Sequence, residues 1–193
     1  LRFSYTEEIS LSKTPVKEQV ICSVDLGINT DAVCSIMRAD GTILRRKFIN
    51  FPSDKDHLYH VLGRISRFQR EHGSRQVQSW WAYAKRLNVE LSRKTAAAIT
   101  EYARENKADV IVFEYLEMQG KISGKKKQKL HLWRKRDIQK ICEHQAHRCG
   151  IRISRASARN TSRFAYDGSG RVIRSAEDHS LCTFTTGKAY NCD

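Results

Sequence analysis

The sequence has few of the residues that mark disordered, fibrous or membrane-spanning chains. It contains only two prolines and ten glycines in 193 residues, and 40% of its residues are hydrophobic. This composition argues against long disorder or a collagen-like chain and suits one globular domain with a real core. No apolar run approaches the ~20 residues that cross a bilayer, and the N-terminus lacks the apolar centre of a signal peptide. We therefore expect no membrane partner.

Acidic side chains are scarce relative to basic ones. The chain has 35 Lys and Arg against 21 Asp and Glu, which gives a formal net charge of +14 and a pI near 9.7. Such an excess predicts a polyanionic partner, most often nucleic acid. Association with ribosomes or a membrane surface, or solubility alone, are the alternatives.

Cysteine pairs of the CxxC type are absent. The six cysteines show no evenly spaced framework, and several lie inside apolar runs, where Cys behaves as a small buried hydrophobe. This usage predicts a reducing, intracellular location without disulfides.

The chain begins with three predicted strands, over roughly residues 19–26, 31–38 and 43–50. Ala39-Asp40-Gly41 divides the second apolar run from the third, and Asp-Gly between apolar runs is a strong hairpin signal. A helix ending near Gly73 and a second helical region ending near Asn106 follow, and Val110 to Glu114 is a short apolar strand.

A basic linker, "QGKISGKKKQK", leads into the helix "LHLWRKRDIQKICEHQAHRC", and "IRISRAS" is a further strand. Residues 160–193 are rich in Gly, Ser, Thr and Asn, which predicts an irregular excursion. The order β-β-β-α-α-β-α-β predicts an α/β fold, a mixed five-stranded sheet with flanking helices, as in RNase H-like folds.

Two acids end buried-looking strands. Asp25 follows the apolar run that starts at Val20, and Glu114 follows the run that starts at Val110. A charge at such a place is costly unless a metal or another cation compensates it. Paired carboxylates on rigid strands can bind Mg²⁺, and two such ions can drive phosphodiester hydrolysis. That chemistry needs at least a third carboxylate, for which the candidates are Asp31, Glu117, Asp178 and Asp193.

A basic segment directly follows the second of these strands. Such a run can track a phosphate backbone, and a solvated loop is the bland alternative. Its candidate nucleic-acid-binding residues are Lys125, Lys126, Lys127, Lys129, Arg134, Lys135 and Arg136.

Three stretches resemble the motifs of a known family. "VDLGINTDAV" resembles the first RuvC motif of TnpB proteins, the transposon-encoded relatives of type V CRISPR effector nucleases, and "IVFEYLE" resembles their second. "GIRISRASARNTSRFAYDGSG", followed by "CTFTTGKAYNCD", resembles the stretch leading into their third. The resemblance covers roughly residues 19–193. It implies a RuvC-like nuclease in which Asp25, Glu114 and Asp193 hold two Mg²⁺ (or Mn²⁺) ions and cut DNA under a guide RNA.

The chain departs from that family at the zinc ribbon that commonly precedes the third acid. Of its four cysteine positions only Cys182 remains, with Ala165, Gly168 and Thr185 at the others, and one thiolate cannot form a tetrahedral site. We therefore expect no zinc. The resemblance implies that residues 1–17 end a preceding domain or form a linker strand. Residues 18–193 would form the nuclease domain, with 160–192 a degenerate zinc-ribbon-like insertion and the C-terminal part missing.

Two other classes of protein remain as alternatives. A nuclease-fold regulator would bind nucleic acid without cutting it, and would keep the fold and the basic charge. A sugar-kinase or actin-like ATPase also carries Asp-x-Gly after its first strand. It would need a second Asp-Gly phosphate motif and a Gly-rich adenosine motif, neither of which the sequence shows. The leading prediction places the protein in the prokaryotic cytoplasm, associated with the nucleoid.

Overall fold

The first three strands form where the sequence predicts them, as β1 (Val20–Asp25), β2 (Ala32–Arg38) and β3 (Ile43–Ile49). The turn between β2 and β3 explains why the prediction works. Gly41 has φ 89°, in the left-handed region that favours glycine. The Asp40 carboxylate accepts a hydrogen bond of 2.8 Å from the Thr42 amide, a local bond typical of Asp in turns.

The computed structural model describes residues 6–27, 30–73, 77–115, 126–157, 163–165, 169–175 and 181–191, without the side chains of 126–133 and 190–191. The chain divides into two units, Leu1–Ala156 and Ser157–Asp193. None of the helices in the described ranges is long and apolar enough to cross a membrane.

The larger unit is a mixed five-stranded sheet with helices packed against it. After β3 come α1 (Pro52–His72), α2 (Gln78–Glu105), β4 (Val110–Tyr115), α3 (Lys126–Arg148) and β5 (Arg152–Ser157). The strands lie in the order β3-β2-β1-β4-β5, with β1 antiparallel to β2 and parallel to β4. The predicted α/β architecture is therefore confirmed. One boundary was wrong, because α3 begins inside the predicted basic linker and already includes Lys126, Lys127 and Lys129.

The core lies on one face of the sheet. Cys22 and Val24 of β1 and Phe113 of β4 are almost fully buried and pack with α2 residues such as Ile99 and α3 residues such as Ile138. Burying a side chain of this size contributes roughly 1.5–3 kcal/mol. Because successive strand residues alternate between faces, the residues between these core positions point to the opposite face.

An extended N-terminal segment is fixed to the base of this sheet through Asp109. Its carboxylate accepts hydrogen bonds from the hydroxyls of Ser12 and Thr14, both at 2.6 Å, and from the Val20 amide at 2.9 Å. Burial alone would raise the pKa of Asp109, but these three bonds together with the charge of Arg152 hold it below its ordinary value.

The smaller unit has regular structure where the sequence predicted an irregular excursion. Strands β6 (Ile173–Arg174), β7 (Leu181–Thr183) and β8 (Ala189–Asn191) form a three-stranded antiparallel sheet. Its small core contains Ala165, Cys182 and Phe184. Cys182 is disulfide-bonded, so the prediction of a chain without disulfides was wrong. A unit as short as Ser157–Asp193 is of the kind that gains most from a crosslink.

Candidate active site at the ends of β1 and β4

The register between β1 and β4 brings two predicted site residues to one edge of the sheet. Val24 pairs with Phe113 in the parallel ladder, so Asp25 and Glu114 are the next residues along the two strands. Neighbouring strands lie about 4.8 Å apart, and laterally adjacent residues of parallel strands point to the same face. Two carboxylates that are 89 positions apart in the sequence are thus neighbours in the fold.

Both carboxylates point away from the helices. Val24 and Phe113 face the core, so the residue that follows each of them faces the other side of the sheet. Asp25 is exposed and Glu114 is half-buried. The pair is therefore accessible to a ligand and is held by backbone that is hydrogen-bonded within the sheet.

Gly27, two residues after Asp25, lies where its backbone comes very close to Thr30. A Cβ at this position would lie 2.6 Å from the main-chain carbonyl oxygen of Thr30, closer than real Cβ contacts come. The sequence pattern Asp-x-Gly after a strand thus has a steric cause. Only glycine lets the chain fold back this closely behind the acid.

The candidates for a third carboxylate separate into two groups. Asp31 is excluded, because it is 1% exposed and occupied by cations from the protein itself. Glu117, Asp178 and Asp193 lie outside the described residues. Among the residues that the structure describes, no three His, Cys, Asp or Glu side chains come together as a metal site.

Asp31 is the centre of a buried ionic cluster that joins β2, α1 and α3. Its carboxylate lies 3.5 Å from the Arg134 guanidinium and 3.6 Å from the Lys55 ammonium, and it accepts a hydrogen bond of 2.9 Å from the Phe51 amide. Burial lowers the pKa of Arg134, and the charge of Asp31 opposes that shift. Asp31 Oδ1 and Arg134 Nη1 are buried, and neither has a hydrogen-bond partner within the part of the chain that the structure describes.

This cluster changes the set of basic residues that can meet a nucleic acid. Arg134, predicted to bind nucleic acid, is 2% exposed and belongs to the interior, so it is left out of any phosphate-binding surface. Lys135 and Arg136 are half-buried. Lys125 lies outside the described residues, and the side chains of Lys126, Lys127 and Lys129 do so too.

Gln139 is a site residue that the sequence does not reveal. Its side-chain amide donates a hydrogen bond of 3.0 Å to the main-chain carbonyl of Glu114, and Gln139 is only 7% exposed. The bond joins α3 directly to the strand position that carries the acid. A lone glutamine in a helix gives no signal of this role, because its partner lies 25 residues away.

The acid pair has the donor chemistry for a hard divalent cation. Mg²⁺ prefers oxygen ligands and is commonly held by one or two carboxylates, with water and substrate phosphates completing its shell. Mn²⁺ accepts the same donors. Asp25 and Glu114 therefore fit such an ion.

The chain is similar in fold to solved structures of Cas12f. A Cas12f1–sgRNA–target DNA complex matches 95% of this chain with a TM-score of 0.58 and 17% sequence identity. A CRISPR-Cas12f ternary complex matches 84% of it with a TM-score of 0.60 and 18% identity. The chain spans 49% and 33% of the lengths of these two proteins. Such identities show a shared fold alone. No family model and no curated protein matches the sequence.

Proposed function

We propose that this chain is the RuvC-like nuclease domain of a TnpB-type RNA-guided DNA endonuclease, transposon-associated and acting in the prokaryotic cytoplasm near the nucleoid. The observation that carries the proposal is the register that makes Asp25 and Glu114 neighbours on parallel strands. The strand order β3-β2-β1-β4-β5 with an antiparallel β2 supports an RNase H-like fold. The Cas12f neighbours are type V CRISPR effectors, which are related to TnpB.

In this proposal Asp25, Glu114 and Asp193 hold the metal. When bound, two Mg²⁺ (or Mn²⁺) ions would supply an activated water and stabilise the leaving oxygen of a DNA phosphodiester. The role of the two strands is to hold Asp25 and Glu114 at fixed positions, so that little reorganisation accompanies reaction. The third acid, Asp193, rests on the family resemblance.

The proposed partners are DNA and a guide RNA. The basic charge of +14 suits a polyanion, and the Cas12f1 neighbour was solved with sgRNA and target DNA. Lys125, Lys126, Lys127, Lys129, Lys135 and Arg136 are the proposed contacts to the phosphate backbone. Affinity that depends on them should fall steeply with salt.

The test is cleavage of labelled single-stranded DNA by the chain in Mg²⁺ or Mn²⁺. We expect Asp25→Ala and Glu114→Ala each to lower the rate at least ~100-fold, because bound metal supplies several kcal/mol of transition-state stabilisation. The matched control is Asp56→Ala, which removes an exposed acid from α1 and should leave the rate within about twofold.

Two results would contradict the proposal. Undiminished cleavage by both site variants would show that the acids are not the site. A parent chain that binds DNA but does not cut it in either metal would favour the alternative, a nuclease-fold regulator that binds nucleic acid without cleavage.

A further inference from the structure

The face of the sheet that carries Asp25 and Glu114, here called the acid face, also carries Phe48 of β3. Asp25 pairs with Val33 of β2, and Val33 in turn pairs with Phe48. Directly paired residues of neighbouring antiparallel strands point to the same face of the sheet. Together with the adjacent Glu114, these three residues form one row across four strands.

The contacts of β3 show independently which of its side chains leave the acid face. Lys47 lies over the ring of Tyr102 on α2, with 5.3 Å between its ammonium and the ring centroid. Arg45 donates a hydrogen bond of 3.4 Å to the side chain of Asn106, just after α2. Both cations therefore lie on the helix-covered face, and Phe48, which follows Lys47, lies on the opposite one.

Arg46 is the cation of β3 that lies on the acid face. It pairs with Ser35 of β2, and its guanidinium donates a hydrogen bond of 3.3 Å to the Ser35 hydroxyl. Ser35 is two residues from Val33 on the same strand, so both point to the acid face. Among the residues that the structure describes, no carboxylate forms an ion pair with Arg46. Its charge is therefore available to a phosphate.

Phe48 is 66% exposed, more than any other aromatic side chain that the structure describes. A single exposed aromatic is ordinary in itself, so its surroundings decide what it indicates. Phe48 is held by a paired strand, lies beside Arg46, and belongs to the row that ends at the acid pair. With strands about 4.8 Å apart, its Cα lies about 10 Å from that of Asp25.

We propose that the acid face binds single-stranded DNA, with Phe48 stacking on a base and Arg46 binding a phosphate of the strand that reaches the acid pair. The inference rests on the proposed function and adds a binding surface to the same site. Stacking requires an exposed base face, which a single strand offers and a duplex does not. It also tolerates every base, which suits a nuclease whose target sequence is chosen by a guide RNA.

The test measures the affinity of the full chain for a labelled single-stranded DNA, with Ca²⁺ replacing Mg²⁺ to suppress cleavage. A second strand of equal length is built from abasic units, which keep the phosphates and remove the bases. The variants are Phe48→Leu, Phe48→Tyr and Arg46→Gln. The matched controls are Tyr59→Leu, an exposed aromatic on α1, and Arg45→Gln, a cation on the other face of β3. Far-UV circular dichroism checks that each variant is folded.

We expect Phe48→Leu to weaken binding of the normal strand at least about fivefold, because base–aromatic stacking is lost. The same change should alter binding of the abasic strand less than about twofold, since no base is present to stack. Phe48→Tyr keeps the ring and should stay within about twofold of the parent on both strands. Tyr59→Leu should also stay within about twofold.

Arg46→Gln should reduce the slope of log affinity against log salt by about 0.7 on both strands, as for loss of one phosphate contact. Arg45→Gln removes the same charge from the opposite face and should leave the slope unchanged. Arg46→Gln removes no apolar contact, so an unchanged slope in this variant overturns the inference even if Phe48→Leu does not fold.

Two further results would overturn the inference. Equal weakening of both strands by Phe48→Leu would mean that Phe48 does not stack on bases. A parent that elutes as a dimer, and as a monomer after Phe48→Leu, would show that a second copy of the chain covers the acid face.

The failures of the two proposals are distinguishable, because binding in Ca²⁺ and cleavage in Mg²⁺ are separate measurements. If the parent cleaves DNA while the Phe48 and Arg46 variants bind like their controls, the acid-face inference is wrong and the proposed function stands. If the parent does not cleave but Phe48→Leu weakens only the normal strand, the proposed function fails and the binding surface stands.

Discussion

Replacing Arg134 by Met tests how much the buried ionic cluster stabilises the fold. The substitution leaves the Asp31 carboxylate, whose side chain is fully buried, with the Lys55 ammonium at 3.6 Å and the Phe51 amide at 2.9 Å. Removing one partner of a buried ion pair usually costs about 3–5 kcal/mol, because an uncompensated charge remains. Since Lys55 and the Phe51 amide stay in place, we expect the lower end of this range, a loss of about 3 kcal/mol in the free energy of unfolding.

The double variant separates the ion pair from simple packing. Asp31→Asn alone leaves the buried Arg134 guanidinium without a carboxylate and should also cost about 3 kcal/mol. Asp31→Asn combined with Arg134→Met buries no charge from this pair, and the Asn can still accept the Phe51 bond. We therefore expect the double variant to be at least about 2 kcal/mol more stable than the sum of the two single losses predicts.

The free energy of unfolding is measured by urea titration followed by far-UV circular dichroism, with Lys140→Met as the exposed control, expected within about 0.5 kcal/mol of the parent. The reasoning is refuted if Arg134→Met costs less than about 1 kcal/mol or if the two single losses simply add. Either result would mean that Asp31 finds full compensation without Arg134.

Two more predictions concern the supports of the sheet. The pKa of Asp109 is lowered by folding. The stability that its carboxylate contributes is therefore present above the ordinary pKa near 3.9, and it is lost as pH falls through the lower pKa of the folded state. Asp109→Asn should therefore destabilise the chain by about 1–3 kcal/mol at pH 7 and flatten the acid limb of a urea titration run from pH 6 to 2. An unchanged acid limb would contradict this. Gly27→Ala should cost about 1–3 kcal/mol, because the new Cβ meets the Thr30 carbonyl at 2.6 Å. Gly63→Ala lies in α1, where the new Cβ would meet no side chain or other segment within 4 Å, and should stabilise by up to about 1 kcal/mol. Equal effects at the two glycines would refute the steric argument.

The acid pair is the part of the site that sequence patterns predict best. An acid after an apolar run is a local feature, and strand composition identified β1 and β4 without any knowledge of their pairing. The β2–β3 hairpin was predictable for the same reason, since Asp40 and Gly41 determine its turn locally. The catalytic role of Asp25 and Glu114 stays a prediction.

The ionic cluster could not be predicted, because its members are far apart in sequence. Asp31 and Arg134 are 103 positions apart, and each was assigned another role, as a candidate metal ligand and as a phosphate contact. An aspartate suits a metal site and an arginine suits a phosphate contact, so the residue types alone did not argue against either role. Only the ion pair between Arg134 of α3 and Asp31, the residue before β2, shows that both side chains are engaged inside the protein.

The smaller unit shows a different limit. Its strands are two or three residues long, too short for an alternating pattern to stand out from a loop rich in Gly and Ser. The strands pair with close neighbours in sequence, as Ile173 does with Thr183 and Leu181 with Asn191. The bond at Cys182 has no local signature.

The sequence by itself determined the element order and the mixed sheet of the larger unit, the basic charge and two acids at strand ends, because each follows from local pattern or from composition. The tertiary structure decided which charges face a ligand. It brings Asp25 beside Glu114 through strand register and buries Arg134 beside Asp31 in the interior. These outcomes depend on packing between distant segments, where burial makes a charge either costly or paired, and no local pattern encodes that choice.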